Sequence, residues 1–135
     1  DIDKVQPVQT LQEHKDNVEA IAISADGKWL LSAGGPTRGN GDTAIRLWDL
    51  EKREVVKRFE GHTKRVWKLA FSKDGQRFLS AGADNVIRLW DVTAGKEVQR
   101  FVGHTDEIRQ AIFTPDGKHM VSASHDKTLR LWKLP

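Results

Sequence analysis

Serine, histidine and aspartate recur along this chain in a fixed order, and together they are the elements of nucleophilic acyl-transfer chemistry. The sets are His14, Ser32 and Asp42; His62, Ser80 and Asp84; and His104, Ser122 and Asp126. A histidine that takes the serine proton, itself oriented by an aspartate, is the arrangement a hydrolase uses. Two things such an enzyme needs are missing. No serine sits in a Gly-x-Ser-x-Gly elbow, and no oxyanion hole is evident. No catalytic residue is therefore expected. Other site chemistry is excluded in the same way. The Gly-rich stretch Gly34–Gly41 has no Gly-Lys-Ser/Thr after it and leads into a strand, so it cradles no phosphate. His119 and His125 lack metal-ligand spacing, and no metal or cofactor is expected. His125 reads instead as a turn residue with its ring in solvent. The segment Glu51-Lys52-Arg53-Glu54 reads as a solvated turn.

The composition narrows the classes further. The chain has 135 residues, 38% hydrophobic and 30% charged, enough apolar material for a core and no more than one ordinary domain. Its net charge of +3 is too mild, without clustering, for a nucleic-acid partner. No cysteine is present, which excludes disulfides, thiol nucleophiles and Cys-ligated metals. The apolar runs are only a few residues long, so no membrane association is expected. The chain begins Asp1-Ile2-Asp3-Lys4, without an apolar leader, and the expected location is cytoplasmic.

The elements that would position these side chains follow from a repeat. Trp48, Trp90 and Trp132 lie 42 residues apart; the three His, and the pairs Asp26-Gly27, Asp74-Gly75 and Asp116-Gly117, are spaced 48 and then 42. The six extra residues of the first unit fall between Ser32 and Trp48, in the Gly-rich stretch. Each unit reads as four short strands. In the second these are Val66–Phe71, Arg77–Ala81, Val86–Trp90 and Glu97–Phe101, with an Asp74-Gly75 hairpin turn between the first two. No window of helical length has a clean 3.6 period, so the predicted class is all-β.

With Gly61-His62, Ser80, Asp84 and Trp90-Asp91 in register, the chain resembles the WD-repeat family of β-propellers over essentially its whole length. It departs from the pattern at Glu13, where Gly precedes His in the family, and at Lys133, where Asp follows Trp. The resemblance implies blades of four antiparallel strands, three per chain: 12–59, 60–101 and 102–135. It also implies that Ser, His and Asp are structural. In that reading the Trp48, Trp90 and Trp132 indoles meet the serines, the serines the histidines, and the histidines the aspartates. A Trp donor engages the Ser oxygen rather than freeing it for attack.

Three blades make an open wedge, whereas propellers close with about 4–8. In the family the outer strand of a blade precedes the next His. Val8-Gln9-Thr10-Leu11 precedes His14 as Val98-Gln99-Arg100-Phe101 precedes His104. Twelve strands are thus expected, with residues 5–12 forming an outer strand that completes the last blade of a neighbouring chain. Such interfaces are heterologous and close by rotation. Bulky Arg65, Trp67, Glu107 and Arg109 near the axis need a wide channel, which favours a homotrimer of nine blades over a homodimer of six. A fragment of a larger propeller, or an engineered self-assembling module without a dedicated ligand, are the alternatives. The resemblance implies an interaction scaffold whose binding face carries the loops before the first strand and between the second and third. The matching positions are Asn17, Glu19 and Gly41; Arg65, Trp67 and Ala83; and Glu107, Arg109 and His125, with Arg38 on the inserted loop. Its expected occupant is a protein or peptide.

Overall fold

Apolar residues alternate with polar ones over short runs, and an Asp-Gly turn folds the chain back once in each repeat. A computed structural model, which describes residues 8–135, shows the result as eleven strands with no helix among the described residues. The first sheet takes β1 (Asn17–Ile23), β2 (Trp29–Gly35), β3 (Ile45–Asp49) and β4 (Glu54–Phe59) in that order. The second repeats it with β5 (Val66–Phe71), β6 (Arg77–Gly82), β7 (Val86–Asp91) and β8 (Lys96–Val102). The third has only β9 (Ile108–Phe113), β10 (His119–Ser124) and β11 (Leu129–Lys133). All neighbouring strands are antiparallel, so each repeat is one up-and-down sheet.

The turns explain the period. Gly27, Gly75 and Gly117 have φ of 72°, 70° and 68°, a region that glycine enters without steric cost. Each amide bonds back to the carbonyl of Ser24, Ser72 or Thr114. The preceding hydroxyl also donates to Asp26, Asp74 or Asp116, which locks the hairpin.

Packing runs from sheet to sheet. Leu31, Ala33, Ile45 and Leu47 on the forward face of the first blade meet Val66, Leu69 and Phe78 on the rear face of the second. Leu79, Ala81, Ile87 and Leu89 then meet Ile108, Ala111 and Met120 of the third. Aromatic rings bridge the first junction: Phe59 lies edge-on to Phe78 at 4.9 Å and to Trp90 at 5.6 Å. Phe101 meets Trp132 at 5.7 Å across the second. Truncating one of these fully buried leucines to alanine costs about 2–5 kcal/mol.

The outermost faces differ from the inner ones. Ile21 is 64% exposed, while its counterparts Leu69 and Ala111 are buried. Leu129 and Leu131 are 74% and 67% exposed, while Ile87 and Leu89, one repeat earlier, are fully buried. Of the outer strand expected over residues 5–12, Val8–Leu11 forms no strand among the described residues, and Val8 is 92% exposed. A strand needs a hydrogen-bonded neighbour, and the edge of the three-stranded sheet, β11, is at the other end of the chain. Residues 5–7 of that expected strand lie outside the described residues.

Candidate functional site

Two sets of polar residues recur in every blade, one inside the sheet and one at its loop end. The inner set starts from serines on the middle of β2, β6 and β10, where alternation turns their hydroxyls inward. Trp90 Nε1 donates to Ser80 Oγ at 2.8 Å, and that oxygen lies 2.7 Å from His62 Nε2. His62 Nδ1 is 2.9 Å from Asp84. Ser80 and the His62 side chain are fully buried. The third blade has the same chain of bonds: Trp132 to Ser122 at 2.8 Å, His104 to Ser122 at 2.7 Å, and His104 to Asp126 at 2.6 Å. The network needs a neutral imidazole that donates from Nδ1 to the carboxylate and accepts the serine proton at Nε2. With its oxygen also holding the indole N–H, the serine is oriented inward and faces no cleft.

Charge follows the same logic. Burial keeps His62 below its ordinary value, and Asp84 only partly counters it. Burial opposes the charge of Asp84, yet bonds from His62, the Thr63 amide and Arg88 outweigh it and bring the carboxyl to about 2.

The first blade departs from this pattern. His14 Nδ1 stands 3.6 Å from Asp42, beyond a hydrogen bond, so the expected His14–Asp42 link is not made. Arg46 Nη1 stands 2.8 Å from His14 Nδ1, as Arg88 Nη1 stands 2.9 Å from His62 Nδ1, but with no carboxylate in reach of His14 Nδ1 the arginine is its donor here. His14 must then carry its proton on Nε2 and donate to Ser32 Oγ at 2.6 Å, beside the 2.7 Å bond from Trp48. Burial, then the Arg46 charge, holds His14 low. The six-residue insertion lies immediately before Asp42 and sets its carboxylate on Arg46 Nη2 at 2.8 Å and the Lys15 amide at 3.0 Å.

These arginines are a fifth member that the tetrad reading missed. They recur four residues after each aspartate, at Arg46, Arg88 and Arg130. Arg46 and Arg88 are buried. Arg88 bonds Asp84 at 3.0 Å, the Gly61 carbonyl at 2.9 Å and Glu97 of β8 at 3.0 Å. Arg46 Nε is buried without a partner, because Val55 holds the place opposite Trp48 that Glu97 holds opposite Trp90. In the third blade Thr128 donates to Asp126 at 2.6 Å, and Arg130 leans over the Trp132 ring at 5.9 Å.

The second set is made by bulges. In β1, β5 and β9 the ladder skips one residue, and the extra residues are Glu19, Trp67 and Arg109. A bulge re-aims its side chain and sharpens the local twist. Glu19 and Trp67 each face the next blade, and Arg109, in the last blade, reaches back to the second. Glu19 pairs with Arg65 at 3.1 Å, and Trp67 Nε1 donates to Glu107 at 2.9 Å. Arg65 and Arg109 lie over the Trp67 ring at 4.9 and 3.7 Å, so the indole is half-buried within this cluster. Of the face residues expected from the sequence, Asn17 reaches Thr37 of the inserted loop at 3.4 Å, and Ala83 and Arg38 line a cavity of about 250 Å³ together with Arg65, Trp67 and Glu107. Gly41 lines a separate cleft with Asp42, Glu60 and His62, and His125 is exposed with its amide on the Glu107 carbonyl.

A roomier open cleft of about 740 Å³ lies at the opposite ends of the strands, between the Asp74-Gly75 and Asp116-Gly117 turns. Its hydroxyls and carboxylates are engaged with one another, which leaves little to recognise a ligand. Among the described residues no group of His, Asp or Glu is placed to hold a metal ion, and no helix is long and apolar enough to cross a membrane.

Recurrent antiparallel sheets of three or four strands, packed face to face and each carrying a Trp–Ser–His chain of bonds that reaches Asp in the second and third, define a propeller-blade protein. Residues 5–49, 53–91 and 95–133 match the WD domain, G-beta repeat, and the chain belongs to that family. It is 34% identical over 70 residues to autophagy-related protein 16 of Arabidopsis thaliana, a match covering 52% of this chain and 13% of that protein. It is 40% identical over 72 residues to cilia- and flagella-associated protein 52 of Chlamydomonas reinhardtii, covering 53% and 11%. With human striatin-3 the identity is 30% over 81 residues, covering 57% and 9%. The chain thus matches only a small part of the length of each relative.

Proposed function

We propose that this chain is a non-enzymatic interaction scaffold whose two open blade faces are covered by further copies of itself, head to tail, in a closed ring of three chains and nine blades. The observation that carries this reading is the match between the exposed faces and the junctions inside the chain. Val18 and Ile21 stand exposed where Val66 and Leu69 are buried; Leu129 and Leu131 stand exposed where Ile87 and Leu89 are buried. A copy placed by the rotation that relates one blade to the next would recreate an apolar junction already made twice. It would set the Asn17 position of one chain beside the bulge residue Arg109 of another, as Arg65 meets Glu19 and Glu107 meets Trp67. It would also bring Val8–Leu11 within reach of the vacant edge of β11. The loop face around Arg65, Trp67 and Arg109 then serves as the surface for a protein or peptide partner, a role supported by membership of the WD-repeat family.

The small share of each relative that the chain matches favours one other reading, in which attached blades of a longer propeller cover the same faces. Light scattering on Ile21→Lys and Leu131→Lys separates the two. Each charge should reduce a homo-oligomer to single chains without loss of β signal. A parent chain that is already single would refute assembly from copies.

A further inference from the structure

We propose that the cavity between the inserted loop of the first blade and the bulge of the second is a site for a carboxylate-bearing, acidic peptide segment. This rests on the reading of the loop face as a partner surface and names the chemistry that the face selects.

The cavity holds about 250 Å³, room on the order of two side chains. Three of its walls are cationic, Arg38, Lys64 and Arg65, against one carboxylate, Glu107. That carboxylate is already engaged by Trp67 Nε1. Among the described residues Arg38 and Lys64 pair with no acidic side chain, and both are exposed. Arg65 contributes a half-used fork. Its Nη1 holds Glu19 at 3.1 Å, while Nη2 is shielded from water and has no partner. That Nη2 is closed to solvent, so Arg65 acts on an occupant through its charge, while the exposed guanidinium of Arg38 presents the paired donors that fit a carboxylate. Pro36 and the Trp67 ring supply the apolar wall against which a methylene stem would lie.

The loop is also fixed well enough to form a wall. Asn17 holds Thr37 at one end, and Asp16 accepts the Asp42 amide at 2.6 Å at the other. Only the first blade has this wall, since the corresponding connections after β6 and β10 are six residues shorter. Selectivity for acid therefore arises from the insertion and not from the repeat.

The test is fluorescence anisotropy on the full chain with a short fluorescein-labelled Glu-Gly repeat peptide, its Gln-Gly counterpart as the neutral control, and inorganic phosphate as a competitor. At low salt the Glu peptide should bind at least about tenfold tighter than the Gln peptide. The double variant Arg38→Glu/Lys64→Glu changes two exposed side chains and should erase that preference while the thermal transition stays in place. Equal binding of the two peptides, or an unchanged preference in the variant, would overturn the proposal. Displacement by phosphate at peptide-like concentrations would overturn the peptide class in favour of a free anion. An unbiased displayed-peptide library separates this failure from failure of the face itself. Enriched neutral or basic peptides whose binding is lost in Arg109→Glu would refute the acidic class and leave the face standing. No enriched peptide would refute both.

Discussion

Replacing His62 by alanine tests the inner polar chain, and the first blade supplies an internal comparison. The His62 side chain is fully buried and links Ser80 at 2.7 Å to Asp84 at 2.9 Å. Its removal leaves Ser80 without a proton acceptor, at about 1 kcal/mol, and weakens the hold on a carboxylate that Arg88 and the Thr63 amide still grip, at about 1–2 kcal/mol. With the cavity left by the ring, the loss should be about 3 kcal/mol. His14→Ala should cost about half as much. Asp42 does not depend on His14, being held by Arg46 and Lys15, and Arg46 retains Asp42 as a partner. The assay is urea unfolding followed by tryptophan fluorescence at one fixed protein concentration, because assembly would make the midpoint concentration-dependent. A His14→Ala loss equal to or larger than that of His62→Ala would refute the reversed proton arrangement assigned to the first blade.

Three further outcomes follow from particular contacts. Val55→Glu should raise stability by about 1 kcal/mol in the same urea assay, because it offers Arg46 Nε the carboxylate that Glu97 offers Arg88. Arg53→Gly should raise it by about 0.5–1 kcal/mol, since Arg53 has φ of 61° at the turn position where the second blade has Gly95 with φ of 68°. Stability should be flat above about pH 7 and fall on acidification. His62 is held below its ordinary value, so the unfolded chain takes up that proton first and the loss begins near the unfolded His value of about 6.5. Asp84, lowered to about 2, adds a second loss of about 1–2 kcal/mol as pH falls from the ordinary carboxylate value through its own. Urea midpoints that rise between pH 7 and 5 would contradict the burial of a neutral His62.

The repeat was legible because blades impose one period on residues of fixed type. Trp, Ser, His and the Asp-Gly turns each occupy a place that only a few side chains fit. Arg46, Arg88 and Arg130 obey that period too, yet a charged residue within a strand reads as surface unless its carboxylate and carbonyl partners are seen. The bulges were hidden because Glu19, Trp67 and Arg109 share a backbone place but no chemistry. Their partners change with them, so no single residue type marks the site. The loss of the His14–Asp42 bond depends on where a Gly-rich insertion delivers one carboxylate, which local propensity does not encode. Val8–Leu11 has the pattern of a strand but pairs with no strand among the described residues, and pairing is a property of two segments.

Whether the exposed apolar faces are covered by copies of this chain is read most directly by native mass spectrometry of the 135-residue chain at micromolar concentration. A closed ring of three 15.3 kDa chains predicts a single dominant species near about 46 kDa. A dominant species at the single-chain mass, with Ile21, Leu129 and Leu131 left in water, would contradict the account; a species of two chains would overturn the nine-blade count alone.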